Sequence, residues 1–206
     1  MEWKQPTGDE HFPYQNRQQF NRKKTGLNIK IKGFLTETEG AFLHRCSSKN
    51  DTGVVAEIGS WMGRSTAFLA LSGKNIVYAI DPHQNTYLHK KQAKEDTLRD
   101  FLHNMEDYSN VVPLVKSSAK AVDFFEDESI GVMFIDGDHT FEGVKEDFLN
   151  YVKKVKIGGI IAFHDAEQLR GVNDFVKHLL KFRDKDGYGI DHPEWIDSIF
   201  WCKRYK

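Results

Sequence analysis

The feature that most constrains this chain is a series of short apolar runs, each ending at a glycine or an acid and followed by a stretch with helical spacing. "GVVAEIG" stops at Gly59, "NIVYAID" at Asp81, "IGVMFID" at Asp136 and "IIAFHD" at Asp165. Runs of this length, bounded by turn residues, read as buried strands. Between and after them, apolar residues recur at helical spacing. Leu98, Phe101, Leu102 and Met105 share one face, as do Val144, Phe148, Tyr151, Val152 and Val155, and then Val172, Phe175, Val176 and Leu179. Gly158-Gly159 is expected to end the second of these helices. "GRSTAFLALS" and "AKAVDFFED" read as shorter helices. "LTETEGAFLHRC" opens the pattern, with Thr36 and Glu39 spaced as a capping box.

"NVVPLVKS" reads as a further strand, and Pro113 suits it to a sheet edge. "IDSIFWCKR" closes the chain as a strand, and "DKDGYGIDHPEWIDS" is where one more strand would lie. Strands alternating with helices predict an α/β, Rossmann-like, doubly wound, mostly parallel sheet with helices on both faces. With 206 residues there is room for one domain with a sizeable core. Residues 31–206 are expected to form it. Residues 1–30 are polar with interspersed Trp3, Phe12, Tyr14 and Phe20, and read as an arm or lid.

Charge excludes some functions. The 29 basic and 30 acidic side chains nearly cancel, and no basic stripe marks a nucleic-acid surface. No apolar run approaches a membrane span, and the first ten residues lack the apolar core of a signal peptide. Cys46 and Cys202 have no metal-type spacing and read as reduced structural thiols, which points to the cytoplasm.

Ligands of open parallel sheets bind beyond the carboxyl ends of the strands, at the point where strand order reverses. Acids and histidines collect at those ends here. The first loop runs Glu57-Ile58-Gly59-Ser60-Trp61-Met62-Gly63. Gly59 allows a tight turn and close approach to a ligand, and Gly63 lets the next helix start near the strand. A dinucleotide fingerprint has glycine where Glu57 stands, and a carboxylate there would repel pyrophosphate. It suits a ligand with a positive end. Asp81, at the next strand end, is placed to accept ribose hydroxyls. A ribose, no phosphate and a cationic group describe S-adenosylmethionine (SAM) better than NAD.

The stretches "EIGSWMGRST", "AIDPH", "FIDGDHTFEGV" and "GGIIAFHDA" resemble the class I SAM-dependent methyltransferases. They are most similar to the metal-dependent small-molecule branch with macrocin-type O-methyltransferases and cephalosporin-hydroxylase-like proteins. The resemblance implies the class I methyltransferase fold and a cofactor site of Glu57, Gly59, Ser60, Gly63, Ser65 and Asp81. It adds Ser117 and Ser118 on the adenine side, where capping of the next helix is the competing reading. Asp136 is implied as a further residue of this cofactor site and, with His139, as a catalytic residue.

Asp136 and Asp165 end neighbouring strands in such a fold and can share a hard cation such as magnesium or manganese. The resemblance implies a metal set of Asp136, His164 and Asp165, with His139 as catalytic base beside Asp136. Where the macrocin-type branch has two adjacent acids, this chain has His164-Asp165, which softens the site and widens the choice of metal. Asp138 and Thr140 read as caps for the next helix.

The expected activity is metal-assisted O-methylation of a small-molecule acceptor such as a sugar, phenol or natural product. No nucleic-acid or membrane partner is expected, and homo-oligomer formation is left open. Trp61, His83, Tyr87 and Phe141 are candidates for the acceptor side. Two alternatives stand. A two-histidine, one-carboxylate set of Asp136, His139 and His164 would suit a hydroxylase. A SAM-binding protein without catalysis is the other.

Overall fold

A computed structural model describes residues 29–83, 97–182 and 189–206. The arm over residues 1–28, Tyr87 and residues 183–188 lie outside them. The elements in chain order are α1 (Glu37–Ser48), β1 (Val54–Ile58), α2 (Arg64–Ala70), β2 (Val77–Ile80), α3 (Thr97–Asn104) and β3 (Val111–Leu114). They continue with α4 (Ser118–Ala121), a 3-10 turn (Val122–Phe124), β4 (Ile130–Ile135), α5 (Phe141–Tyr151), β5 (Val155–Phe163), α6 (Arg170–Phe182), β6 (Ile190–Ile196) and β7 (Ile199–Arg204).

Seven strands form one sheet in the order β3-β2-β1-β4-β5-β7-β6. The first five pair in parallel. β7 runs antiparallel to β5, and β6 antiparallel to β7. The chain steps outward from β1 to β3, then crosses back to β4, so the order reverses between β1 and β4. Every residue of β4 is buried, as a central strand covered on both faces requires. β3 is the edge strand, which explains how it tolerates Pro113.

One face of the sheet packs against α5 and α6 through Phe148, Tyr151, Phe163, Phe175 and Phe200, all fully buried. The other packs against α1 and α2 through Leu43, Phe68, Val132, Phe134 and Ala162. The helices therefore lie on both faces, as the alternating pattern implies.

Two expectations change. Gly158-Gly159 does not end a helix. α5 stops at Tyr151, and β5 runs through both glycines. Between Ile130 and Val132, β4 advances two residues while β5 advances from Val155 to Ile160. The surplus residues form a bulge, and Gly158 supplies the positive φ of +82° that it needs. Val155, at helix-compatible spacing from Tyr151, disguised the strand start. The second change is β6. Its sequence IDHPEWI buries only the two end residues, so it carries little alternation to read.

Candidate active site

The turn after β1 lies at the reversal point. Gly59 has φ +88°, and a Cβ built on it would stand 2.0 Å from the carbonyl oxygen of Asp136. The backbone there is locked from both sides: Gly59 N donates to Ile80 O (2.8 Å) and Asp136 N to Ile58 O (2.8 Å). Glycine is thus required for β1 and β4 to end side by side. Gly63 also has positive φ and stands against Met105 and Phe101 of the α3 region.

Glu57 is fully buried at the end of β1. Its Oε2 accepts from Thr66 Oγ1 at 2.5 Å, while Oε1 has no partner. Ser60 Oγ, also buried, is likewise unpartnered. Buried polar atoms are normally hydrogen-bonded, so two orphans on one glycine turn fit a ligand with donors. Burial, aided by the Asp136 and Asp81 charges and opposed by Ser65 and Thr66, pushes the Glu57 carboxyl up to about 7.

This shift gives a testable sign. Between the ordinary value of 4.5 and about 7 the folded chain keeps a proton that the unfolded chain has released. Stability therefore falls as pH rises through that window, and the cost is complete above it. Glu57→Gln escapes the cost. Without ligand it is expected to unfold like the wild type at pH 4 and to be more stable by up to about 3 kcal/mol at pH 8. Thermal melts at the two pH values check this; an equal difference at both would remove burial of the charge as its cause.

Asp81 closes β2 and grips the loops. Its Oδ2 accepts from Trp61 N (2.9 Å) and its Oδ1 from His83 N (2.6 Å). Each oxygen retains a second lone pair. Trp61, His83 and Asp165 all have positive φ near +50°. Left-handed non-glycine residues are uncommon and gather where surroundings over-determine the backbone. Here three stand just beyond the ends of β1, β2 and β5.

Other expected residues have quieter places. Ser65 is buried beside Glu57. Ser117 stands at the N-cap of α4 but makes no side-chain cap bond, and the Ser118 hydroxyl is engaged by Asp147. Thr140 does cap α5, accepting from Gly143 N (3.1 Å), and Asp138 accepts from Thr140 N (2.9 Å). His83 is turned inward, with Nδ1 3.2 Å from Thr97 Oγ1 and its ring against Phe101. Phe141 packs on Phe175 and His178 between α5 and α6. Trp61 stacks on the exposed Phe34, at 5.7 Å between ring centroids.

Asp136, His139 and Asp165 form a group whose ligand atoms all lie within 4.8 Å of one another. His139 Nε2 is 3.1 Å from Asp136 Oδ1 and 3.8 Å from Asp165 Oδ2. One imidazole and two carboxylates make a donor set that fits a divalent cation with hard-oxygen preference. Burial opposes protonation of His139, but the hydrogen bond and charge of Asp136 raise its pKa above the usual value.

His164, expected as a ligand, is placed differently. It is buried, with Nδ1 3.3 Å from Asp136 Oδ1 and Nε2 3.5 Å from Glu39 Oε2. Burial opposes its charge, yet Asp136, Glu39 and Asp165 raise its pKa to about 11. His164 is not part of the converging group, and its two nitrogens face Asp136 and Glu39 instead.

Two contributors were not read from the sequence as site residues. Glu39 was legible only as a helix cap. Its carboxylate is 1% exposed and its pKa falls to about 2, because His164, Ser198 and Thr36 outweigh the cost of burial. Arg64 opens α2 and ties down the approach to the glycine turn. Its Nε donates to Leu35 O, and Nη1 to Ile29 O and Ile31 O, at 2.8–2.9 Å. A groove of about 570 Å³ lies elsewhere, lined by the second half of α1, the start of β4, the β5 bulge and parts of β6 and β7; it contains none of the candidate site residues.

Strand order, the glycine turn at the reversal point and the acids at the strand ends define the Rossmann-like fold of class I SAM-dependent methyltransferases. Residues 56–166, more than half of the chain, match the family described as "Methyltransferase domain", and the chain belongs to that family. A curated relative, the uncharacterized protein y4gI of Sinorhizobium fredii, is 27% identical over 129 residues. That alignment covers 61% of this chain and 14% of the relative, so the chain spans a small part of that protein's length.

Solved structures with the same fold include O-methyltransferases. TomG from Streptomyces achromogenes, involved in tomaymycin synthesis and solved with SAM, gives a TM-score of 0.62 at 12% identity, covering 84% of this chain and 82% of TomG. An rRNA methylase from Streptococcus thermophilus gives 0.60 at 15% identity, covering 84% of this chain and 100% of that one. The fold thus serves more than one class of acceptor. Among the described residues no helix is long and apolar enough to cross a membrane.

Proposed function

We propose that this chain is a SAM-dependent O-methyltransferase acting on a small-molecule hydroxyl with the help of a divalent cation. The observation that carries the reading is the pair of unpartnered buried atoms, Glu57 Oε1 and Ser60 Oγ, on the Gly59 turn where strand order reverses. A carboxylate there matches the cationic methionine end of SAM and opposes a pyrophosphate. Asp81, with spare lone pairs at the end of β2, suits ribose hydroxyls. When bound, SAM supplies the methyl group and the cation acidifies the acceptor hydroxyl. Asp136 and Asp165 would hold the cation, with His139 beside them. His139 is the residue placed to take the hydroxyl proton, with Asp136 orienting its Nε2. The remaining work of the protein is to fix distance and line of attack.

The balanced charge of the chain supports a small acceptor over a nucleic acid. The carboxylate-rich donor set supports magnesium or manganese over softer metals.

The test is thermal stability with SAM, S-adenosylhomocysteine or NAD, each with manganese or with chelator. At about 100 times its dissociation constant a ligand stabilises the fold by roughly 2.7 kcal/mol. SAM and its product are expected to raise the melting temperature, manganese to do so separately, and NAD to do nothing. A response to NAD alone would overturn the reading. A response to SAM without methyl transfer to any hydroxyl acceptor would favour a regulatory SAM-binding role.

A further inference from the structure

Glu39 raises a question that its cap does not answer. A capping-box glutamate needs only to reach back to the N-cap N–H, which it can do at the surface. Glu39 does accept from Thr36 N (Oε2, 2.9 Å), but it is 1% exposed. Burying a carboxylate is costly unless it is hydrogen-bonded and paired.

Its other contacts reach across the fold. Oε1 accepts from Ser198 N (2.9 Å) and Ser198 Oγ (2.6 Å), at the tight turn between β6 and β7. Oε2 stands 3.5 Å from His164 Nε2, within ion-pair reach but not a formed hydrogen bond. His164 in turn presents Nδ1 to Asp136 Oδ1 at 3.3 Å, and its ring is braced edge-on by Phe134. Two buried groups, Glu39 and His164, thus lead from the first helix, through the tip of β5, to the half-buried carboxylate at the tip of β4.

We propose that Glu39 is a positioning residue for the cation site, acting through His164 to fix the carboxylate of Asp136. The inference rests on the cation-site part of the reading above. Groups that hydrogen-bond a ligating carboxylate orient it, and losing one typically weakens metal affinity by about 10- to 100-fold. Glu39 does this at one remove. It holds the far nitrogen of His164, so the near nitrogen faces Asp136 and the ring stays out of the ligand set.

Glu39→Gln alters the two contacts of Oε2, to His164 Nε2 and to the Thr36 N–H of the capping box. The amide oxygen can still accept from Ser198, while the amide nitrogen sets a donor against His164 Nε2–H. Thr36→Ala is the control, since it removes the cap hydroxyl and leaves His164 untouched. The readouts are manganese binding by electron paramagnetic resonance and SAM binding by calorimetry, on the full chain. Glu39→Gln and His164→Gln are each expected to weaken manganese about 10- to 100-fold. The double variant should fall no further than the weaker-binding single one, because both act on Asp136. SAM affinity should stay within about twofold, and Thr36→Ala should leave manganese affinity unchanged.

Additive losses, an equal loss in Thr36→Ala, or wild-type manganese affinity in Glu39→Gln would overturn the proposal. So would a wild-type chain that binds SAM but no manganese, which leaves SAM binding standing. If the manganese pattern appears and SAM does not bind, the methyltransferase reading fails and the role of Glu39 stands.

Discussion

Gly59→Ala is expected to cost the protein much of its stability and all of its ligand binding at the β1 turn. Two physical terms add. The residue sits at φ +88°, where an L side chain costs about 1–2 kcal/mol. The new methyl would also stand 2.0 Å from the Asp136 carbonyl oxygen and 2.5 Å from its carbon, and both are backbone. Relief requires β1 and β4 to part, which breaks the Asp136 N to Ile58 O bond. Overpacking of this kind costs about 1–3 kcal/mol or more. Together the terms approach the lower end of the roughly 5–15 kcal/mol that keeps a domain folded. Gly73→Ala is the matched control. Its φ is +63°, but a Cβ there meets nothing within 4 Å, so only the conformational term applies. Thermal unfolding of the two variants, with SAM calorimetry on whatever folds, checks the prediction. Equal melting temperatures would show that the close approach of the two strand ends is not what the glycine serves.

The contrast between these glycines bears on what the sequence could convey. Gly59 was legible because it follows an apolar run and precedes a helix, and that order places it at a strand tip. Gly158 was not. It lies beyond a helical face that Val155 extends by spacing alone, whereas the bulge it serves depends on the register of β5 against β4. Register is a relation between two strands, and neither strand carries it alone. β6 was obscure for a related reason. As the outermost antiparallel strand it buries Ile190 and Ile196 and leaves its middle partly open, so no alternation marks it.

The site divides in the same way. Topology delivered Glu57, Asp81, Asp136 and Asp165 to one edge, because the carboxyl ends of parallel strands all point there. Side-chain direction was another matter. His139 and His164 both follow strands β4 and β5 closely, yet the former joins the cation group and the latter turns into the protein. The inner nitrogen of His164 faces Glu39, on a helix that precedes the whole sheet. Sequence spacing cannot report a partner so distant, and its capping-box role gave Glu39 a sufficient local explanation.

Asp136→Asn is expected to have two separable effects. The first is on stability. Burial works to raise the Asp136 carboxyl, but the charge of His164 and the hydrogen bonds from His139 and His164 outweigh it and hold the pKa below the ordinary 3.8. That stabilisation is present above 3.8 and lost as pH falls through the lowered value. His164 has the opposite sign. Its pKa rises from 6.5 to about 11, so its share is complete below 6.5 and is lost as pH climbs towards 11. The coupling is therefore whole between roughly pH 4 and 6.5. Removing one partner of a buried pair costs about 3–5 kcal/mol, and the low end applies because the Asp136 side chain is 22% exposed. The variant's deficit, measured in chelator, should be greatest near pH 6 and should shrink towards pH 10. The second effect is on turnover. The amide can neither ligate a cation as a carboxylate does nor hold His139 as a base, so kcat should fall by about 10²–10⁴, with SAM affinity nearly unchanged. A deficit independent of pH would mean that His164 is not paired with Asp136 in solution. Intact turnover would move the proton-accepting role away from His139 and its partner.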